Sequence, residues 1–460
     1  MNTKHLILAA SSAIASLTVH AETPWNHGAL KISADSIRIE HEDGHPFFWL
    51  ADTGWLLPER LNRDEARQYI DNCADAGFNV IQVQTINGVP ATNAYGRLSH
   101  PDGWNMAAVE REDSLGYWQH MDYIIDTAAE RGIYIGMVCI WGGLVKHGYM
   151  DQDQARIYGS FLANRYKDKP NIVWIIGGDT RGDVKPEVWS TLATTINTLD
   201  NNHLMTFHPF GRTNSAWWWN DAHWIDFNMF QSGHRAYDQT KGDGADNAFA
   251  PYNEDNWRYV NDALSRHPLR PVIDGEPSYE GIPHGLHDTT LPRWQDCDAR
   301  RYAYWSVLSG AAGHTYGNNS VMQFHSGDRP GAYGADRQWR DAINDPGRNQ
   351  MKYLKQLVMS HPGLYPCQDA IIGNGERYER AVAARNDSSI IVYAYTDRPV
   401  TIDLSTMTGR NINVDVLDPR DGAIRRLGLA EDDVYITPSL PDMADRVYIL
   451  TSSEVEGQTD

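Results

Sequence analysis

Cysteine is scarce, and beyond its first residues the sequence has no long apolar run. The 460 residues include only four cysteines, and their wide spacing, without a Cys-x-x-Cys pair, requires no disulfide. No stretch after residue 21 is long and uncharged enough to span a bilayer, so we expect no membrane anchor. The length allows two or three domains with a large buried core.

Positive charge is also in short supply. The chain has 40 Lys and Arg residues against 60 Asp and Glu residues, which gives a formal net charge of −20. Most of such a surface would repel a polyanion. The composition therefore excludes nucleic acid as a partner.

Several common enzyme motifs are missing. Gly-x-Ser-x-Gly, Walker-type and dinucleotide-binding glycine patterns do not occur, which removes the usual signals of serine hydrolases, NTPases and dehydrogenases. The string from His41 to His45 matches the zinc-protease pattern His-Glu-x-x-His, which needs a helix to bring both histidines to one face. Here Asp43-Gly44 and the following Pro46 predict a turn instead. We therefore predict neither a metal site nor a cofactor.

The N-terminus carries an export pattern. Lys4 precedes an apolar run over residues 6–17, and Val19 and Ala21 are small residues at positions that a signal peptidase reads. We expect residues 1–21 to be a signal peptide and the mature protein to be periplasmic or extracellular. The alternative is an ordinary N-terminal helix.

Short apolar segments alternate with helical patterns between residues 47 and 345, which is typical of repeated βα units. The strands are predicted at 47–50, 79–84, 133–140, 172–176, 204–207, 225–230, 271–274 and 312–316. The helices are predicted at 63–76, 118–131, 152–166, 188–199, 256–266 and 294–308. Eight such units predict an α/β fold, a (β/α)8 TIM barrel, over residues 22–360. A hairpin from 31–40 through Asp43-Gly44 leads into the first strand.

The pattern changes after a last helix near residues 349–359. Short alternating strands are predicted at 381–384, 389–395, 400–404, 413–417 and 446–450, with polar turns between them. These features predict a small, separate C-terminal β-sandwich over residues 361–460.

Two predicted barrel strands are each followed by a carboxylate. A barrel of this type assembles its active site at the carboxyl ends of its strands, and there Asp179 follows strand four and Glu276 follows strand seven. Glycosidic cleavage requires two carboxyl groups, one to protonate the leaving oxygen and one to attack or to activate water. We therefore predict Asp179 and Glu276 as the catalytic pair. The alternatives are that Asp179 caps a helix and that Glu276 pairs with an arginine. Nearby competitors are Asp183, Asp274 and Glu280.

Other strand ends and loops carry aromatic rings and polar groups that suit sugar faces and hydroxyls. The candidate substrate-binding residues are Asp52, Trp55, Gln84, Trp141, His208, Trp218, Gln231, His234, Tyr316 and Asn318. Three adjacent tryptophans at 217–219 cannot all enter one core, so we expect at least one at the barrel mouth. For each polar residue, the alternative is a loop position that satisfies backbone groups.

Five motifs link the sequence to a known family: FWLADTGW (48–55), GFNVIQ (77–82), NIVWIIGGD (171–179), DGEPSYE (274–280) and GHTYG (313–317). With them, the chain from about residue 31 onward resembles the apiosidase-like glycoside hydrolases of family 140. The resemblance implies an apiosidase-like barrel followed by a domain with a collagen-binding label, from which we infer no collagen binding. It also implies that Asp179 and Glu276 are catalytic and that apiose is released from side chains of a pectic polysaccharide.

The sequence therefore predicts an exo-acting, metal-independent glycoside hydrolase with Asp179 as acid/base and Glu276 as nucleophile. The expected partner is a polysaccharide or oligosaccharide substrate, and no oligomeric state is predicted. Facing positions on strands four and seven favour a retaining mechanism, for which the carboxyl groups lie about 5 to 5.5 Å apart. One alternative is a non-catalytic carbohydrate- or matrix-binding protein on a barrel scaffold. The other is a collagenase-type peptidase, which needs a metal site or an activated nucleophile that the sequence does not show.

Overall fold

The computed structural model describes residues 23–106, 109, 113–239, 251–407 and 411–452. The predicted signal peptide, residues 1–21, lies outside these ranges. Within them, no helix is both long enough and apolar enough to cross a membrane. All four cysteines are described, and all are unpaired.

Eight parallel strands form the predicted barrel, and they are numbered first to eighth below. Their bounds are Trp49–Thr53, Val80–Gln84, Tyr134–Val138, Ile172–Thr180, Met205–Pro209, Asn228–Gln231, Val272–Asp274 and Gly313–Tyr316. Almost all of their residues are buried, as expected for strands covered by helices outside and by packed side chains inside. Every predicted strand is present, with its ends shifted by a few residues.

The barrel is nearly closed. Backbone ladders run from the first strand to the fifth on one side, and through the eighth and seventh to the sixth on the other. Among the described residues no ladder joins the fifth and sixth strands. That seam is bridged by Asp226 N, which donates to Met205 O (2.9 Å), and by Thr206 Oγ1, which donates to Phe227 O (2.7 Å). A short strand, Thr213–Asn214, adds antiparallel to the sixth.

Helices cover the outside of the barrel. Capping boxes formed by Asn62 with Glu65 and by Asp151 with Gln154 fix where two of them begin. The α-helices are Leu57–Arg60, Arg63–Asp75, Tyr117–Glu130, Gly142–Lys146, Gln152–Tyr166, Pro186–Leu199, Ala216–Trp219, Asn256–Leu264, Asp296–Val307, Asn319–Met322, Trp339–Ala342 and Pro346–Ser360. Turns of 3-10 helix lie at Pro24–His27, Ala332–Gly334, Gln368–Ala370 and Arg377–Glu379.

A small antiparallel sheet precedes the barrel. Its strands are Leu30–Ile32, Ile39–His41 and Pro46–Phe47. The predicted turn at Asp43-Gly44 is present, and Gly44 adopts a φ of +88° there. The His-Glu-x-x-His string is therefore a strand end and a turn rather than a helix.

The C-terminal region forms two antiparallel sheets over a hydrophobic core of its own, as the predicted sandwich requires. The larger sheet contains, in spatial order, Tyr365–Pro366, Ala381–Arg385, Ser389–Ala394, Arg446–Ser452, Ile412–Leu417 and Ile424–Ala430. The smaller sheet contains Ile371–Ile372, Thr401–Asp403 and Val434–Ile436. The sequence does not predict the edge strands Ile424–Ala430 and Val434–Ile436, because most of their side chains are exposed and show no regular alternation.

The barrel and the C-terminal domain share a buried interface. Arg300 Nη2, on the helix Asp296–Val307, donates to Asp445 Oδ1 at 2.8 Å, and the two side chains are 1% and 0% exposed. Tyr304 of the same helix stacks on Tyr393, with ring centroids 4.7 Å apart and 9° between the planes. The two domains therefore pack as closely as the parts of one core.

Candidate active site

Asp179 follows a distortion at the end of the fourth strand. Pairing with the fifth strand is regular up to Gly177 and then shifts register, which marks a β-bulge. Gly177, Gly178 and Asp179 all have positive φ, of +88°, +112° and +48°. A Cβ at Gly177 would lie 2.5 Å from the carbonyl oxygen of His208, so only glycine fits there. Asp179 does not cap the next helix, which begins only at Pro186.

Glu276 follows the seventh strand through a closely packed glycine. A Cβ at Gly275 would lie 2.3 Å from Met229 Sδ, so the backbone passes where no side chain fits. From inside the barrel, Gln82 Nε2 donates to the Gly275 carbonyl oxygen at 2.9 Å. The backbone that presents Glu276 is therefore held in place by packing and by a buried hydrogen bond.

Two histidines face the buried Glu276 carboxylate. His234 Nε2 lies 3.0 Å from Oε1, and His208 Nε2 lies 3.3 Å from Oε2. The other ring nitrogen of each histidine accepts a hydrogen bond from a backbone N–H. His208 Nδ1 accepts from Asp179 N at 3.2 Å, and His234 Nδ1 accepts from Tyr279 N at 3.4 Å. This pattern assigns the ring proton of each histidine to Nε2, which points at Glu276. The groups that contact the Glu276 carboxylate are thus imidazole N–H donors and not an arginine. These donors favour the ionised form of Glu276.

The two carboxyl groups have opposite pKa shifts. Burial and then the negative charge of Glu276 raise the pKa of Asp179 to about 6. Burial also acts to raise the pKa of Glu276, but the hydrogen bonds from His208 and His234 outweigh it and lower that pKa to about 2. In mildly acidic solution a proton therefore resides on Asp179 while Glu276 is ionised. Two carboxyl groups whose pKa values differ in this way can act as acid and nucleophile.

Both carboxyl groups lie in a cleft of about 590 Å³ at the mouth of the barrel. The indole rings of Trp55 and Trp141 line it, with centroids 5.7 Å apart and 57° between the planes. Trp55 is held by its Nε1, which donates to Tyr279 OH at 3.1 Å. The predicted substrate-binding residues that line the cleft are Trp55, Gln84, Trp141, Gln231 and His234, and His208 lies against Glu276 at its base. The described lining runs from Trp55 to Tyr333, so all of it belongs to the barrel.

A family model described as "Apiosidase-like, catalytic domain" matches residues 33–364. The chain belongs to this apiosidase-like family. A second model, described as "Putative collagen-binding domain of a collagenase", matches residues 365–451. Among proteins of curated function, none matches the chain.

Similar solved structures are glycoside hydrolases. One, described as "Glycoside hydrolase", is 53% identical with a TM-score of 0.92, and the match covers 95% of this chain and 99% of that one. A glycoside hydrolase family 5 protein from Bacteroides vulgatus ATCC 8482 is 50% identical with a TM-score of 0.91, and the match covers 95% of this chain and 96% of that one. This apiosidase-like chain is therefore a glycosidase, and not a binding protein without activity or a peptidase.

Two predicted substrate-binding residues of the apiosidase-like barrel face its helices instead of the cleft. Asp52 is fully buried and accepts from Arg348 Nη2 (2.9 Å) and Tyr69 OH (2.8 Å). Tyr316 pairs with Asp52 across the first and eighth strands, and its hydroxyl donates to Glu280 (2.5 Å). Side chains alternate between the two faces of a strand, and these two point outward. The geometry contradicts substrate contact for both and gives them structural roles.

Asn318 and Trp218 also lie outside the cleft lining. Asn318 Oδ1 caps the helix Asn319–Met322 by accepting from Ser320 N at 3.0 Å, which is the backbone role considered as its alternative. Trp218 is half-buried, and its ring centroid lies 6.0 Å from that of Trp217. Neither residue is placed to contact a sugar bound beside Asp179 and Glu276.

None of the three competing carboxylates lines the cleft. Asp274 accepts from Ser232 Oγ (2.7 Å) and Asn256 Nδ2 (3.2 Å) on the helix side of the seventh strand, where burial raises its pKa to about 7. Asp183 is exposed, and Glu280 is buried behind the eighth strand. The assignment of the pair to Asp179 and Glu276 is the one that the cleft supports.

The cleft contains further residues that strand-end reasoning did not single out. These are Arg60, Asn87, Phe210, Arg212, Arg235, Leu286, His287, His325, Arg329 and Tyr333. Most of them lie on loops, some more than ten residues beyond a strand, whereas Arg60 ends the helix Leu57–Arg60 and Tyr333 lies in the turn Ala332–Gly334. Tyr333 lines the same cleft as the pair, and burial and then the charges of Glu276 and Asp179 raise its pKa. The sequence feature that could have pointed to some of these cleft residues is the concentration of His and Arg in residues 284–329, which lie between and beyond the last two strands.

Proposed function

We propose that this glycosidase is an exported, exo-acting enzyme that releases a terminal, apiose-like sugar from side chains of a pectic or related polysaccharide. One observation carries the chemistry: Asp179 and Glu276 line a single cleft, where the pKa of Asp179 is raised to about 6 and that of Glu276 is lowered to about 2. Export is inferred from the signal-peptide pattern of residues 1–21. The sugar is inferred from the family.

The opposite pKa shifts support Asp179 as the acid, and the facing positions of the fourth and seventh strands favour Glu276 as the nucleophile. Asp179 gives its proton to the glycosidic oxygen as the bond to the anomeric carbon breaks, and Glu276 attacks that carbon and forms a covalent ester. Asp179, now ionised, takes a proton from water, which attacks the same carbon and releases the Glu276 carboxylate. The anomeric carbon is inverted twice, so its configuration is retained.

The charge of the cleft supports an acidic substrate. The arginines that line it are Arg60, Arg212, Arg235 and Arg329. Within the described part of the chain, its only acidic lining residues are the catalytic pair, although the whole protein has a net charge of −20. Four guanidinium groups in the described lining can bind the carboxylates of an anionic polysaccharide, which the net negative charge of the protein as a whole repels. This contrast favours a pectic substrate, which is rich in carboxylates, over a neutral one.

The size of the cleft supports action on a chain end. Its volume of about 590 Å³ is that of a small-molecule pocket, and the partly exposed ring of Trp141, which packs against the buried Trp55, offers a face on which a sugar can stack. A terminal sugar and its neighbour fit such a space better than the middle of a long polymer does.

Digestion of pectic, neutral plant and algal polysaccharides tests the substrate. The enzyme is incubated with each, and released sugars are identified by chromatography and mass spectrometry, with the Glu276→Gln variant as the blank. We expect a single monosaccharide, apiose or a close relative, from the pectic samples. A ladder of oligosaccharides, or release from neutral polymers only, would overturn the exo-acting and pectic parts of the proposal.

Proton NMR of the reaction as it starts tests the stereochemistry. Double displacement predicts that the first product has the anomeric configuration of the substrate. Initial release of the inverted anomer would reassign Glu276 from nucleophile to general base.

A further inference from the structure

The C-terminal domain contacts the loop that carries His234. This loop, residues 232–239, follows the sixth strand, and we call it the His234 loop. Three residues after His234, the ring of Tyr237 packs edge-on against Tyr378, with centroids 5.2 Å apart and 70° between the planes. Tyr378 lies in the C-terminal turn Arg377–Glu379, so this contact joins the two domains.

A buried carboxylate joins the same two segments. Glu254 Oε1 accepts from Tyr237 N (2.6 Å) and from Tyr378 OH (2.9 Å), and its Oε2 accepts from Arg301 Nη2 (2.7 Å). The side chains of Glu254 and Arg301 are both 0% exposed. The guanidinium carbon of Arg377 also lies 5.2 Å from the centre of the Tyr237 ring. The Glu254 carboxylate therefore joins the backbone of the His234 loop, the barrel helix that carries Arg301 and the side chain of Tyr378 in the C-terminal domain.

Two arginines of the barrel helix Asp296–Val307 hold the Arg377–Glu379 turn against the barrel. The guanidinium of Arg301 lies 5.0 Å from the Tyr378 ring and 5.3 Å from the Tyr395 ring. The buried pair of Arg300 with Asp445 fixes the same helix to the C-terminal sheet. Breaking such buried pairs is costly, so the turn keeps a defined position relative to the His234 loop.

We propose that the Arg377–Glu379 turn positions the His234 loop, so that the C-terminal domain contributes to catalysis without entering the cleft. Tyr378 is the positioning residue, because its ring and hydroxyl hold Tyr237 and Glu254. The loop in turn holds His234 Nε2 at the Glu276 carboxylate. The inference rests on the proposed role of Glu276 as nucleophile.

Kinetics of the full-length Tyr378→Ala and Tyr378→Phe variants test the proposal. A displacement of the His234 loop by ~1 Å is enough to cost up to about a hundredfold in rate, so we expect Tyr378→Ala to lower kcat at least tenfold, with KM changed less than about twofold. The acid limb of the pH profile should move to higher pH, because a displaced His234 no longer offsets the burial of Glu276. Tyr378→Phe keeps the ring and should show a smaller change in the same direction.

Tyr395→Phe is the matched control. The ring of Tyr395 contacts Arg301 and lies 5.8 Å from the Tyr378 ring, and Tyr395→Phe keeps these ring contacts. The hydroxyl that the variant removes donates to Asp298 Oδ1 at 3.2 Å and makes none of the contacts to the His234 loop described above. This variant should lose some thermal stability and keep the kcat and the pH profile of the wild type. The substrate in all assays is the polysaccharide from which the wild type releases sugar.

A second measurement does not depend on any substrate. Imidazole ¹H–¹⁵N spectra of histidine-labelled protein report the tautomer of His234, whose signals are assigned with the His234→Gln variant. We expect these signals to shift in Tyr378→Ala and in Tyr378→Phe, and to stay in place in Tyr395→Phe. If the wild type cleaves no pectic substrate, the substrate proposal fails and these spectra still decide the present one.

The proposal is overturned if Tyr378→Phe leaves kcat, the acid limb and the His234 signals as in the wild type. The Arg377–Glu379 turn would then serve stability alone. Should Tyr378→Ala fail to fold, the comparison of Tyr378→Phe with Tyr395→Phe decides the question by itself.

Discussion

Glu276 is buried, yet its two oxygens face imidazole N–H groups and not a lysine or an arginine. Because a backbone N–H occupies Nδ1 of both His208 and His234, each ring keeps its single proton on the side of Glu276. Ionisation of the carboxylate is thus favoured by imidazole N–H donors. Burial and then the charge of Glu276 raise the pKa of Asp179, which separates the two titrations.

Asp179→Asn and Glu276→Gln should each lower turnover by at least about a hundredfold, because loss of a positioned acid or nucleophile removes a step of the reaction. The fold should be kept, since both replacements nearly preserve size. Turnover and circular dichroism are the measurements, and Asp183→Asn is the control because Asp183 is exposed and outside the cleft. More than about a tenth of wild-type activity in either variant would remove that residue from the pair.

The enzyme should work best in acid. Asp179 must be protonated, so kcat/KM should fall as the pH rises through about 6, the pKa of this group. Glu276 must be ionised, so activity should fall on the acid side only as the pH approaches about 2. Initial rates between pH 3 and 9 in constant ionic strength test this. Activity that increases from pH 6 to pH 8 would contradict the assignment of Asp179 as the acid.

At the scale of elements, the bulge that ends the fourth strand should not tolerate a side chain. Gly177→Ala places a Cβ 2.5 Å from His208 O at a φ of +88°, whereas Gly148→Ala has a similar φ of +82° and no atom within 4 Å. The backbone strain is common to both, at about 1 kcal/mol, and only the first adds a clash worth roughly 1 to 3 kcal/mol. Urea unfolding and kcat should therefore both separate the two variants. Equal stability and equal activity would show that the bulge relaxes freely.

Elements with buried, regular patterns could be predicted from the sequence, and irregular ones could not. Each of the eight barrel strands is a short apolar run between helical patterns, and their positions are confirmed. Ile424–Ala430 and Val434–Ile436 were missed, because edge strands with exposed side chains lack that pattern. The sequence places Asp179 after the fourth strand, whereas the register shift that ends this strand in a bulge depends on pairing with the fifth strand.

The sequence could predict only those site residues that lie at the ends of strands. Strand order alone places Asp179 and Glu276 at the barrel mouth, but the face to which Asp52 points depends on the pleat, and a shift of a single residue reverses it. Tyr333 lies in a turn well beyond the eighth strand, and only the tertiary fold brings it into the same cleft as the pair. Loop conformations of this kind leave no periodic signal in a sequence.

At the scale of the whole molecule, the domain interface should carry a large part of the stability. Arg300→Met leaves Asp445 buried without its cation and should lower the free energy of unfolding by about 3 to 5 kcal/mol. Arg156→Ala, which removes an exposed ion pair with Asp153, should cost no more than about 1 kcal/mol. Urea unfolding of both variants is the measurement. A cost for Arg300→Met as small as that of the control would show that the interface is loosely packed.

The two halves of the barrel also contribute different kinds of residue to the cleft. Asp179, His208, His234 and Glu276 come from the ends of four consecutive strands, the fourth to the seventh, whereas Trp55, Gln84 and Trp141 come from the first three. In evolution, exchange of the loops of the first half can change the sugar that is bound while Asp179, Glu276 and the two histidines stay in place. Relatives that share the four polar residues and differ in the two tryptophans are then where a change of substrate should be sought.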